Sequence, residues 1–175
     1  MKTMLHATTV GIDKVNDLVG KAIAWLTLLM VVQTFVIVVL RYQFNMGWIA
    51  LQESVIYMHA VVFLLGTAST LKQDAHVRVD IFYREMSAQR KALVDIIGGL
   101  IFLLPVCSFI LYSSWGYVLD SWEVKEASGE AGGLPWVYLL KTTLPVMAIL
   151  LLLQGIAEIL RNTLFLLQAN NTGSE

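Results

Sequence analysis

Three histidines and a single cysteine stand among 12 Lys+Arg and 13 Asp+Glu in a chain of 175 residues. His59 falls inside an apolar run, while His6 lies in the N-terminal segment and His76 in a charged loop, so His59 has no evident second axial ligand with which to hold a haem. It is expected instead to be hydrogen-bonded and to face another helix, and Gln33, in the middle of an earlier apolar run, is expected to join helices in the same way. Cys107 has no partner for an intramolecular disulfide or a thiolate metal site, and reads as a small packing residue. No nucleophile–base set, phosphate-binding glycine loop or metal-ligand spacing is present. The chain is therefore expected to have no catalytic residue, no cofactor and no metal. Its net charge of −1 leaves no basic footprint for nucleic acid.

The elements that must position these side chains are set by where charge is missing. Nineteen residues without charge separate Lys21 from Arg41, eighteen separate Glu53 from Lys72, and twenty-four separate Asp95 from Asp120; a fourth apolar run follows Lys141. A soluble core helix needs only an apolar stripe, and its other face would carry charge. Runs that are apolar all round and about 17–25 residues long span a bilayer. The expected fold is an all-α membrane protein of four transmembrane helices, over about 22–40, 54–71, 96–119 and 142–160, forming one membrane domain over 22–167. The first run is longer than the apolar part of a signal peptide and leads into Arg41-Tyr42 rather than a small-residue cleavage site, so it reads as retained.

Before it, Ile12, Val15, Leu18, Val19 and Ala22 recur at helical spacing, with Asp13, Lys14, Asp17 and Lys21 between them. That pattern predicts an amphipathic helix over 1–21 lying on the membrane surface before the chain turns inward. The polar tail 168–175 is expected to be disordered. Nine Lys/Arg fall on the side of the termini and the 72–95 loop, against Arg41, Lys125 and Lys141 on the other, which predicts both termini in the cytoplasm. Trp48, Trp115, Trp122 and Trp136 gather at the outer ends of the spans as an interfacial belt.

Pumps and ion-coupled transporters keep ionisable residues inside their spans, where each costs at least ~2.5–3.5 kcal/mol. The first three spans hold none, which argues against an ion-coupling site in this chain. Glu158 and Arg161 lie three residues apart near the inner end of the fourth span; they read either as an intrahelical ion pair or as a contact to a partner subunit. Pro105 predicts a kink in span three, and Pro145 lies near the start of span four. Asp120, Glu123, Glu126 and Glu130 make the outer loop acidic, either as a solvated loop or as a docking surface for an extracytoplasmic protein.

The order of several short motifs resembles one family. Leu40-Arg41-Tyr42-x-Phe44-Asn45, then Trp48 and Glu53, is similar to the end of span one and the start of span two in the small membrane subunits of tripartite ATP-independent periplasmic (TRAP) transporters. His76-Val77-Arg78-Val79-Asp80 resembles the family's marker after span two, and Gly132-Gly133-Leu134-Pro135, Lys141 and Leu144-Pro145 resemble its run into span four. The likeness covers about residues 15–165. It implies a scaffold subunit that pairs with a large multi-span permease and helps to dock a periplasmic substrate-binding protein, often one that delivers an organic acid. It places sodium coupling and substrate passage in the large subunit, and it implies the bacterial inner membrane.

These residues also have physical readings. Arg41 and Glu53 end adjacent spans on the same side and read either as an ion pair or as two snorkelling charges. The alternation at His76, Arg78 and Asp80 suggests a short extended entry into an interfacial helix carrying Phe82, Tyr83 and Met86, with Arg78 and Arg84 near lipid headgroups. Pro135 suits a turn or helix start where the outer loop re-enters the membrane. Two other classes remain open on sequence alone: a membrane anchor of a redox enzyme, motivated by His59, and a small self-sufficient exporter, disfavoured by the missing intramembrane carboxylate.

Overall fold

The computed structural model describes the backbone of residues 2–76 and 80–172, and the side chains of residues 9–76 and 82–169. The described residues form helices joined by short connections: α1 (Lys2–Gln43), α2 (Ile49–Lys72), α3 (Asp80–Tyr83), α4 (Ala88–Gly98), α5 (Leu104–Glu123) and α6 (Val137–Thr172), with a π turn over Gly99–Leu103 between α4 and α5. Four stretches are long and apolar enough to cross a membrane: Thr9–Gln43, Ile49–Lys72, Ala88–Glu123 and Val137–Ala169.

The N-terminal segment differs from expectation in one way. α1 runs unbroken for 42 residues, so no turn separates a surface helix from the first span. Its apolar and polar residues do take different sides. Val15 and Leu18 are exposed, whereas Asn16 is buried and Asp13 and Asp17 make ion pairs with other helices. The polar side chains find partners on α2 and α6. At the other end of the chain α6 continues to Thr172; residues 173–175 of the expected tail lie outside the described residues.

The expected kink at Pro105 takes the form of the π turn. Pro105 has no N–H to give and its ring crowds the carbonyl four residues back. The turn before it is widened, and Leu104 donates to the Gly99 carbonyl, five residues back. Pro145 sits well inside α6 rather than near its start, because that helix begins at Val137, two residues after Pro135.

α6 is the hub. It packs against α1, α2, α4 and α5, α1 packs along α2, and α5 takes its packing from α6. In the most apolar stretch of α6, 39% of residues are buried within the chain, against 6% for α1, 11% for α2 and 6% for α4–α5. Small residues allow the approach: Ala148 and Ala157 of α6 are completely buried. A Cβ on Gly155 would come within 2.6 Å of Leu103, and one on Gly20 of α1 within 2.7 Å of Ser69 of α2. Lipid tails are as apolar as leucine, so helices in a bilayer associate through such close packing and through hydrogen bonds. Broad faces of α1 and α5 stay uncovered, with Trp25, Phe35, Phe109 and Tyr112 all exposed.

Candidate functional site

Polar side chains tie the bundle at both ends. At the loop end the organising group is Glu53, in the second turn of α2. One carboxylate oxygen accepts the Ser128 hydroxyl, and the other accepts the Leu134 backbone N–H at 2.6 Å. Ser128 N–H donates to the Leu134 carbonyl at 2.9 Å, closing the loop on itself. Gly132 has φ +81°, a backbone conformation that favours glycine, and a Cβ on Gly133 would lie 2.5 Å from Ser128 Oγ and 2.8 Å from Glu53 Oε2. The Gly132-Gly133-Leu134-Pro135 segment is thus a cradle shaped to a carboxylate from another helix. Glu53 is committed to it, and Arg41 is exposed with no ion-pair partner among the described residues, so the Arg41–Glu53 pair does not form.

A second clasp lies beside the first. Glu126 accepts from Lys141 Nζ and, at 2.6 Å, from the Ser121 hydroxyl, while Lys141 Nζ also stands 3.9 Å from the centre of the Tyr117 ring. The hydrogen bond from Lys141, then that from Ser121, hold the Glu126 carboxyl below its ordinary range. Trp122 Nε1–H donates to Thr142 Oγ1 at 2.9 Å, which seats one indole of the belt on α6. Of the four loop carboxylates only Glu126 is consumed in this way; Asp120, Glu123 and Glu130 are exposed and carry no ion pair among the described residues.

The remaining motif residues shape the connections. Asn45, at φ 55°, takes the left-handed position that ends α1, and the Met46 N–H returns to the Leu40 carbonyl at 3.0 Å. Tyr42 and Trp48 are exposed around that turn. His76 Nε2 lies 3.2 Å from the Thr67 carbonyl. Arg78 and the extended entry expected around it lie outside the described residues, as does the side chain of Asp80, the first residue of α3. Tyr83 reaches from α3 to donate to Asp95 of α4 at 2.8 Å.

Inside the spans, Gln33 of α1 donates to the Leu51 carbonyl at 3.1 Å and to Ser54 Oγ, linking α1 to α2. His59 does not face another helix. Its ring is exposed and stacks on Phe63 at 6.1 Å, because α2 gives its other sides to α1 and α6 and leaves Ile56, His59 and Phe63 on the uncovered arc.

At the terminal end Glu158 and Arg161 do pair along α6, at 2.7 and 2.9 Å, but they belong to a larger network. Arg161 also reaches Asp13 of α1 at 2.8 Å. Gln154 is completely buried; it accepts from Asn16 Nδ2 at 2.6 Å and donates to Glu158 at 2.9 Å and to Asp13 at 3.3 Å. Lys72 of α2 meets Asp17 at 2.6 Å. Asn16, Gln154 and Ser128 do not stand out from the sequence as site residues. Gln154, Glu158 and Arg161 at i, i+4 and i+7 nonetheless form a polar face on an otherwise apolar helix, and that spacing is the signal that could have found the first of them.

An apolar bundle organised on one helix, clasped at its ends and broadly uncovered at its sides, has four helices fit to cross a membrane. The model of the family described as tripartite ATP-independent periplasmic transporters, DctQ component, matches residues 30–164, and the chain belongs to that family. It is a small membrane subunit of a TRAP transporter, a transport component and not an enzyme, which sets aside the redox-anchor alternative. No curated protein and no solved structure gives a match. The matched segment holds both loop-end clasps, together with Gln154, Glu158 and Arg161; the α1 residues Asp13, Asn16 and Asp17 precede it.

Two outcomes follow from the loop-end clasps. Gly133→Ala should displace Ser128 and Glu53 and lower stability by about 1–3 kcal/mol, read as a lower Tm in detergent, whereas Gly129→Ala, with open space around its Cβ, should leave Tm unchanged. The Glu126 clasp should be acid-sensitive. A depressed carboxyl pKa stabilises the fold above the ordinary value of 4.5, and that contribution disappears as pH falls through the depressed value. The Tm difference between the wild type and Glu126→Gln should therefore be largest at neutral pH and shrink below about pH 4.5.

Proposed function

We propose that this chain is the scaffold that holds a large multi-span permease subunit in a bacterial inner membrane and helps dock a periplasmic substrate-binding protein delivering an organic acid. The observation that carries the reading is the distribution of polar groups and exposed surface. Ion pairs and buried amides are spent on joining this chain's own helices, while whole apolar faces of α1 and α5 remain available to a partner or to lipid. Sodium coupling and substrate passage belong to the large subunit in this reading. The excess of Lys/Arg near the termini and the 72–95 loop supports placing both termini in the cytoplasm, with the Glu53 and Glu126 clasps on the periplasmic side.

A tagged chain extracted from native membranes in mild detergent should bring down one large multi-span protein in stoichiometric amount, identified by mass spectrometry. Liposomes holding this chain alone should show no substrate uptake. Uptake by the chain alone would overturn the scaffold reading.

Docking of the binding protein is assigned to the three uncommitted carboxylates. Asp120→Asn, Glu123→Gln and Glu130→Gln together should slow uptake most at low ionic strength, because charge steering is screened by salt. The same loss at every salt concentration would point to a structural defect instead.

A further inference from the structure

The end of the bundle that carries the two termini holds a half-open cavity of about 740 Å³, walled by α2, α3, α4 and its π turn, and α6. That volume lies within the about 300–1,000 Å³ common to small-molecule sites. Its lining changes character with depth. Lys72, the last residue of α2, and Arg161 stand near the mouth, and Gly98, Leu103 and Gly155 line the deeper part. Along α6, Arg161 lies six residues, about 9 Å, nearer the mouth than Gly155. Along the antiparallel wall, Asp95 lies eight residues, about 12 Å, nearer the mouth than Leu103. Both walls therefore grade from charge to hydrocarbon in the same direction, as a lipid does within its leaflet.

The charge at the mouth narrows the ligand class. Lys72 is bridged to Asp17, and Arg161 to Asp13 and Glu158. Asp74, Asp95 and Glu158 are also among the lining residues. Among the described residues the mouth offers both signs rather than a cationic well, so a headgroup carrying only negative charge would meet carboxylates as well as cations. A headgroup that carries an ammonium beside its phosphate answers both.

We propose that this cavity binds one phospholipid with an ammonium-bearing, zwitterionic headgroup. Its phosphate lies toward Lys72 and Arg161, its ammonium lies toward the carboxylates, and an acyl chain runs past Gly98 to the floor that Leu103 and Gly155 close. Gly98 lines the cavity and a Cβ on it would meet nothing within 4 Å, so a side chain there starts in open space.

The test uses the full chain purified in mild detergent, with lipid binding read by native mass spectrometry. The probes are phosphatidylethanolamine and phosphatidylglycerol of matched acyl chains. The wild type should retain one phospholipid and should prefer phosphatidylethanolamine by about tenfold, a difference of ~1.4 kcal/mol. Gly98→Leu should lose that lipid at unchanged Tm, while Gly116→Leu, also in open space on the same long helix, should keep it. Equal retention by the wild type and Gly98→Leu, or a preference for phosphatidylglycerol, would overturn the proposal. So would displacement of the bound species by inorganic phosphate alone, which would mark a simple anion site. The wild-type competition decides the headgroup even if Gly98→Leu does not fold.

Discussion

A hydrogen bond between two buried amides, Asn16 on α1 and Gln154 on α6, sets the terms for one end of this molecule. Leaving both amides wholly unpaired in apolar surroundings would cost several kcal/mol; the bond meets Asn16 Nδ2 and Gln154 Oε1, while Asn16 Oδ1 finds no partner among the described residues. Their pairing fixes the height and rotation of two helices whose sequences lie 138 residues apart. Once Gln154 is placed, Glu158 and Arg161 follow on the next turns of α6 and engage Asp13, and Asp17 brings in Lys72 of α2. Three long helices are thereby held in register by groups that a lipid environment would otherwise reject.

The opposite end uses the same principle with a loop in place of a helix. A backbone segment re-entering the membrane presents N–H groups that need acceptors. Glu53 supplies one to Leu134, and it fits only because Gly133 has no side chain. The close contacts at Gly20 and Gly155 complete the assembly, since packing between helices is all that remains where hydrophobic burial gives no advantage over lipid.

The four spans were legible because about twenty consecutive residues without charge suit the interior of a bilayer and little else. The glycine–glycine–leucine–proline segment and Glu53 could both be named from the sequence, but not the bond between them, since it joins residues 81 apart. Asn16 was hidden for a related reason. On α1 the apolar residues do recur at helical spacing, and a period shows that a helix has two faces without showing which face its neighbours take. Ion-pair partners on α2 and α6 took the polar face and left Leu18 exposed. His59 shows that a polar side chain in a span need not find its partner on another helix of its own chain.

The π turn at Gly99–Leu103 has a consequence for the phase of the helix that contains it. A π turn takes up about one residue more than an α turn. The residues of α4 and α5 are therefore offset by roughly 100° from where a single regular helix would carry them. A helical wheel drawn through Ala88–Glu123 as one object would misassign the outward side of one half. The offset lets one continuous rod point Asp95 toward Tyr83 of α3 and still seat Cys107, Ser114 and Val118 in the interior. Removing a single residue from that turn would restore regular geometry and leave both halves in their seats, whereas a deletion elsewhere in the rod would rotate one half by roughly 100°.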